Sequence, residues 1–127
     1  AYWQDTFGIT QHWADEIQTQ GVEVITQAII TQLTAHQVDE LYVSFDIDAI
    51  DEQYAAATAT PEAGGLHPQV ALDIIRILGE HFSVTGADMM EVAPFTNSTE
   101  NAKDAQATTL QVAGEISALL IAQIARP

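Results

Sequence analysis

The stretch LYVSFDID, Leu41 to Asp48, constrains the fold most, because Leu41, Val43, Phe45 and Ile47 alternate with Tyr42, Ser44, Asp46 and Asp48. Such alternation predicts a strand with one covered face. Strand side chains repeat every two residues, so Asp46 and Asp48 are expected on the same face, where the apolar run gives out. A loop rich in Ala, Thr, Pro and Gly follows as far as Leu66. His67-Pro68 then announces a helix whose buried face is Val70, Ala71, Ile74, Ile75, Leu78 and Phe82, with a stop between Gly79 and Ser83. Val84 to Val92 reads as a second strand. Strand, long loop, helix, strand is the order of a right-handed crossover between parallel neighbours, and the fold class is α/β. Asp46, Asp48 and Glu91 are then expected at the carboxyl ends of adjacent strands, on one rim and around a common cavity.

The remaining segments read as helices around that unit. QHWADEIQTQG predicts a short helix closing at Gly21. From Val22 to Val38 the apolar positions Val22, Ile25, Ile29, Leu33 and His36 keep helical spacing, although β-branched residues leave the first half open to an extended reading; His36 is taken as an edge-of-core residue. Tyr2, Trp3, Phe7 and Ile9 suit the tail of a strand before a turn at Gly8. Ser98 to Arg126 predicts a closing helix capped by Asn97 or Ser98, with Glu100 and Asp104 early and Arg126 late, as a helix dipole prefers. Leu110, Ala113, Ser117, Leu120 and Ile124 line one of its faces. Its last turns are apolar nearly all round, so it is expected to pack on the sheet and on another subunit, and the expected assembly is a homo-oligomer.

Two neighbouring carboxylates repel one another unless a cation sits between them or one takes a proton. Carboxylate oxygens suit Mg, Ca and Mn, and share sites with imidazole for Mn or Zn. The same Asp-x-Asp pattern also arises from solvated loop acids or a helix cap, and both readings stay open on these residues alone. Glu91 stands one residue before the end of an apolar run, a costly place for a carboxylate unless the strand opens into a polar pocket or ends at the surface. His12, beside Asp15 and Glu16, reads as a surface histidine or as part of a ligand cluster.

Ser44, Phe45, Asp46, Asp48, Asp51, Thr58, Thr60, Pro61, Gly64, Gly65 and Leu66 follow in an order that resembles the signature of the ureohydrolases (arginase, agmatinase, formimidoylglutamase). Met90, Glu91, Val92 and Pro94 resemble that family's Met-Glu-Val-x-Pro strand end. The resemblance implies a three-layer α/β/α fold with a parallel sheet and a binuclear manganese centre on the strand rim. It implies that Asp46 bridges two Mn ions, that Asp48 binds one of them, and that Glu91, as catalytic and substrate-binding residue, contacts the guanidinium or amidine group. Thr60 would line the same pocket, and Asp51 would support the loop or the ligand set. The implied enzyme hydrolyses a C–N bond of a small cationic guanidino or formimino substrate, releasing urea or formamide.

Two acids cannot hold two metal ions. The family's other ligands come from an earlier glycine-rich segment with a His and from an Asp-x-His-x-Asp cluster, and His12, His36, His67 and His81 stand in neither context. Residues 1–127 are therefore read as the carboxy-terminal part of a single ureohydrolase-like domain, with little turnover of their own. Asp51-Glu52 stands where many members have Asp-Pro, and Ala59 where Gly is usual, which bears on loop shape and substrate choice. The alternatives are a metal-poor, non-catalytic binding or regulatory member of the same fold, and an acidic α/β domain whose Asp pair is accidental.

Composition narrows the partners. With 3 Lys+Arg against 18 Asp+Glu, a formal net charge of −15, the chain is a poor ligand for nucleic acid or an anionic membrane surface. The acids are spread along the chain, as in a protein kept soluble or adapted to salt. There is no Cys for a disulfide framework or a thiol nucleophile. No apolar run approaches the ~20 residues of a membrane span and no signal peptide is visible, so a cytoplasmic location is expected.

Overall fold

In the computed structural model, which describes residues 6–94 and 102–126, two parallel strands form the sheet: β1, Glu40–Asp46, and β2, Ser83–Met90. The register pairs Leu41 with Val84, slips by one residue, and then runs from Tyr42 opposite Gly86 to Asp46 opposite Met90. Glycine is needed beside that slip, because a Cβ on Gly86 would stand 2.8 Å from the Tyr42 ring. The alternation of β1 resolves as its sequence predicts. Val43 and Phe45, with Ala87 and Met89 from β2, pack against the core, while Tyr42 and Met90 are exposed.

The helices that accompany the sheet include α1, Ala14–Gln20; α2, Val22–Ala35; α3, Pro68–His81; and α4, Ala102–Ile124. Gly21, at φ 94°, separates α1 from α2, a conformation that favours glycine. Pro68 opens α3 and the His67 ring caps it, with Nδ1 accepting the Gln69 N–H at 3.1 Å. Ala71 and Ile75 of α3 meet Val112, Ala113, Ile116 and Leu120 of α4 in one cluster, and Ile47, Ile50 and Ala55 of the intervening loop complete it. Each fully buried Ile contributes roughly 1.5–3 kcal/mol by leaving water. Through Ile50 and Ala55 the 49–66 segment thus enters the core, while residues 59–64 stay exposed. It is pinned by bridges between Ile50 and Leu66 and between Asp51 and Glu62. Gly65 allows this, since a Cβ there would stand 2.6 Å from the Asp51 nitrogen.

Several expectations need correction. The buried stripe of α4 is Thr109, Val112, Ala113, Ile116, Leu120 and Gln123, whereas Leu110 is 49% and Ile124 41% exposed. A helix apolar on nearly every side leaves its periodicity unable to fix which stripe faces inward. His36 is exposed and ends α2, so it is not at the core edge. Phe7 and Ile9 are exposed. β2 stops at Met90, two residues short of Val92. Contrary to the reading of the sequence, Lys103–Ile124 is long and apolar enough to cross a membrane by length and composition. In the fold its buried stripe lies against the core cluster, as a core helix does. Tyr2 and Trp3, the cap candidates Asn97 and Ser98, and the early-turn Glu100 lie outside the described residues.

Candidate metal and substrate rim

β1 ends at Asp46, and Ile47–Ala49 then form one turn of 3-10 helix, so Asp48 is not a strand residue. The period-two argument for placing Asp46 and Asp48 on one face therefore fails. What links them is a cap: Asp46 Oδ1 accepts the Asp48 N–H at 2.9 Å. Asp at the head of a short helical turn satisfies an orphan backbone N–H. The Asp48 carboxylate accepts in turn the hydroxyls of Thr58 and Thr60, one on each oxygen. An ionised carboxylate offers about four lone-pair sites, so each of these acids retains acceptor capacity for a cation.

The loop behind this pair is fastened at Ala57. Its N–H donates to Thr109 Oγ1 of α4 at 3.0 Å, and its carbonyl accepts the Ala93 N–H at 3.0 Å. Next along the chain, buried Thr58 reaches Asp48. One residue thus ties the Asp48 support to α4 and to the segment that follows Glu91. Glu91 itself is exposed, immediately beyond Met90, the β2 residue opposite Asp46. Its φ of 61° lies in the left-handed region, uncommon for a residue with a side chain and a form of strain that gathers at functional positions.

Asp46 and Glu91 therefore stand at the same end of paired strands, with Asp48 two residues past Asp46. The acids do not share one cavity, however. Asp48 lines a cavity of about 510 Å³ between α1 and the loop, while Asp46 lines an apolar cleft of about 320 Å³ beside α3. Thr60 donates to Asp48 and lines neither, so its contact is with the acid. Asp51 serves the loop. Its carboxylate accepts the N–H groups of Gln53 and Gly64, each at 2.9 Å, and the Gln53 bond foremost holds its pKa below the ordinary value.

Asp88 escaped the reading of the sequence. It pairs with Ser44 across the sheet and accepts the Ser44 hydroxyl at 2.7 Å and the Tyr42 hydroxyl at 2.9 Å. The bond to Asp88 pushes the Tyr42 phenol above its usual pKa. Aligning Leu41 with Val84 without the slip would have set Ala87 beside Ser44, so the sequence offered no local signal for this contact.

No Lys or Arg neutralises this rim: the ion pairs among the described residues join His12 to Glu16 and Arg76 to Asp73 and Glu80. Asp46 and Asp48 thus fit a hard divalent ion in kind, as oxygen donors held by N–H and hydroxyl groups. They fall short in number, and among the described residues no three His, Asp or Glu side chains form a group able to hold a metal ion.

Residues 1–125 match the sequence profile of the Arginase family. The chain belongs to the arginase family. Human mitochondrial guanidino acid hydrolase is 52% identical over 54 residues, 42% of this chain and 15% of that protein. The agmatinase of Chromobacterium violaceum is 37% identical over 99 residues, 77% of this chain and 30% of the relative. Proclavaminate amidino hydrolase from Streptomyces clavuligerus superposes with a TM-score of 0.68 at 33% identity, covering 87% of this chain and 33% of that one. Bacillus subtilis arginase, at 22% identity and a TM-score of 0.75, shares the fold over 99% of this chain and 40% of its own. This arginase-family chain therefore spans about a third of the length of the solved relatives it matches.

Proposed function

We propose that residues 1–127 are the carboxy-terminal part of a ureohydrolase domain that cleaves a guanidino or formimino C–N bond, releasing urea or formamide. The observation that carries this reading is the paired strand end: Asp46 closing one strand with Asp48 in the turn that follows, Glu91 just past the neighbouring strand, and, among the described residues, no basic side chain bonded to any of them. Asp46 and Asp48 would hold manganese, with the further ligands supplied from outside this chain. Bound manganese supplies activated water and Lewis-acid polarisation near neutral pH.

The chain's own residues do the rest. Thr58 and Thr60 fix the Asp48 carboxylate, and the Ala57 junction keeps that support in step with α4. Glu91 offers a carboxylate to a planar guanidinium, whose N–H groups it accepts as a pair, holding the reacting carbon in place. The names of the relatives divide between an amine-ended substrate, agmatine, and acid-ended guanidino compounds, so the arm beyond the guanidinium is left open by the names. The full-length protein is expected in the cytoplasm as a homo-oligomer.

The test is urea release by the full-length polypeptide from guanidino substrates with and without added manganese. Turnover is expected only with the metal, and Glu91→Gln is expected to lower kcat/KM by about a hundredfold. Full activity after chelation, or an unaffected Glu91→Gln enzyme, defeats the reading. A second reading, a metal-poor binding or regulatory member of the fold, is favoured by the absence of a three-ligand group among the described residues. Stoichiometric manganese in the purified full-length protein excludes it.

A further inference from the structure

Glu91 holds a left-handed backbone, at φ 61°, and a residue with a side chain keeps such a form only where its surroundings over-determine it. They do so from both sides. Met90, immediately before it, is held in the sheet opposite Asp46, and Ala93, two residues after it, donates its N–H to the Ala57 carbonyl at 3.0 Å. Ala57 thus supports the turn at Glu91. It also precedes Thr58, whose hydroxyl donates to the Asp48 carboxylate.

The position of Ala57 is set in turn from α4. Ala57 is 1% exposed, so its N–H needs a partner within the protein, and Thr109 Oγ1 accepts it at 3.0 Å. The Thr109 hydroxyl hydrogen is committed to the Ala105 carbonyl at 2.8 Å, which leaves the oxygen lone pairs for Ala57. Thr109 is fully buried and lines neither the Asp48 cavity nor the Asp46 cleft. Each of these bonds joins two residues of this chain, so none depends on what the rest of the domain places over the rim.

We propose that Thr109 is a positioning residue for the reaction: through Ala57, its hydroxyl holds at once the Asp48 carboxylate that faces the metal and the backbone turn that presents Glu91. The proposal rests on the ureohydrolase reading for the roles of those two acids. It adds that one buried hydroxyl, distant from both in sequence, sets both. An Ala57 N–H deprived of its acceptor shifts to find another, and the shift passes to Thr58 on one side and to Ala93 on the other. Metal binding and substrate binding then weaken together.

The test uses the full-length protein with Thr109→Val, which keeps the shape and removes the acceptor, and Thr109→Ser, which keeps the hydroxyl. Both are studied well below their thermal midpoints, where lost stability by itself moves neither readout. Thr109→Val is expected to weaken manganese binding about tenfold by calorimetry and to raise KM for a guanidino substrate by a similar factor. Thr109→Ser should restore both. Unchanged manganese affinity and KM in Thr109→Val, or equal losses in Thr109→Ser, overturn the proposal and leave the reaction class standing.

The unmodified protein supplies a second measurement, which serves even where the valine variant does not fold. Manganese loading should slow hydrogen exchange, followed by mass spectrometry, in the peptides carrying Ala57 and Ala93 together. Slowing confined to one of them breaks the link and overturns the proposal. Paired slowing in a protein that releases no urea from guanidino substrates defeats the reaction class and keeps Thr109 as the residue that positions the rim. No manganese binding by the unmodified protein defeats both.

Discussion

Asp51 shows how one carboxylate can organise a loop without touching chemistry. Its two backbone acceptor bonds, to Gln53 and Gly64, lower its pKa from the ordinary 3.8. A carboxyl whose folded pKa is depressed adds stability above its unfolded value, and that contribution disappears as pH falls through the folded one. Asp51→Asn keeps an acceptor oxygen and removes the charge. We expect its thermal midpoint to lie below the wild type at pH 7, with the gap closing as pH falls below about 3.8; a gap constant from pH 7 to pH 3 would exclude the charge as the cause. Of the site residues, the sequence exposed Asp46, Asp48 and Glu91 because acids at apolar strand ends are conspicuous. It hid Asp88 and the Thr58 contact with Asp48, because hydroxyl–carboxylate bonds between residues 10 or 44 positions apart leave no local pattern.

Among the elements, α4 carries a stabilising role that its sequence does not advertise. Thr109 is fully buried, donates to Ala105 within the helix at 2.8 Å and accepts the Ala57 N–H at 3.0 Å, which fastens the loop behind Asp48. Thr109→Val keeps the shape and strands that N–H, so unfolding in urea should show a loss of about 1–3 kcal/mol. The lesion should also loosen the loop, seen as faster hydrogen exchange at Ala57 and Ala93. Unaltered stability would mean that water replaces the hydroxyl without cost. The strands and the Pro-headed helix were legible because each rests on a local rule, of alternation or of Pro at a first turn. The inward stripe of α4 was not, since residues apolar on every side leave the choice to whatever packs against them.

For the whole molecule the governing quantity is a net charge of −15 on 127 residues. Self-repulsion of that size opposes compaction and is screened by salt, with a Debye length of about 10 Å at 0.1 M and about 3 Å at 1 M. The thermal midpoint should rise between low salt and 1 M NaCl, and rise similarly with KCl; no change would show that the acids are already locally compensated. By itself the sequence determined the parallel α/β class, the order of the helices and strands, the acidic rim residues and a resemblance to the ureohydrolases, all of which follow from nearest-neighbour periodicity or from an ordered run of residue types. Only the tertiary structure decided that Asp48 sits in a 3-10 turn capped by Asp46, that Ala57 joins loop, rim and α4, and that Asp46 and Asp48 open into different cavities. These depend on distances between segments far apart in the chain, which packing sets and local pattern does not encode.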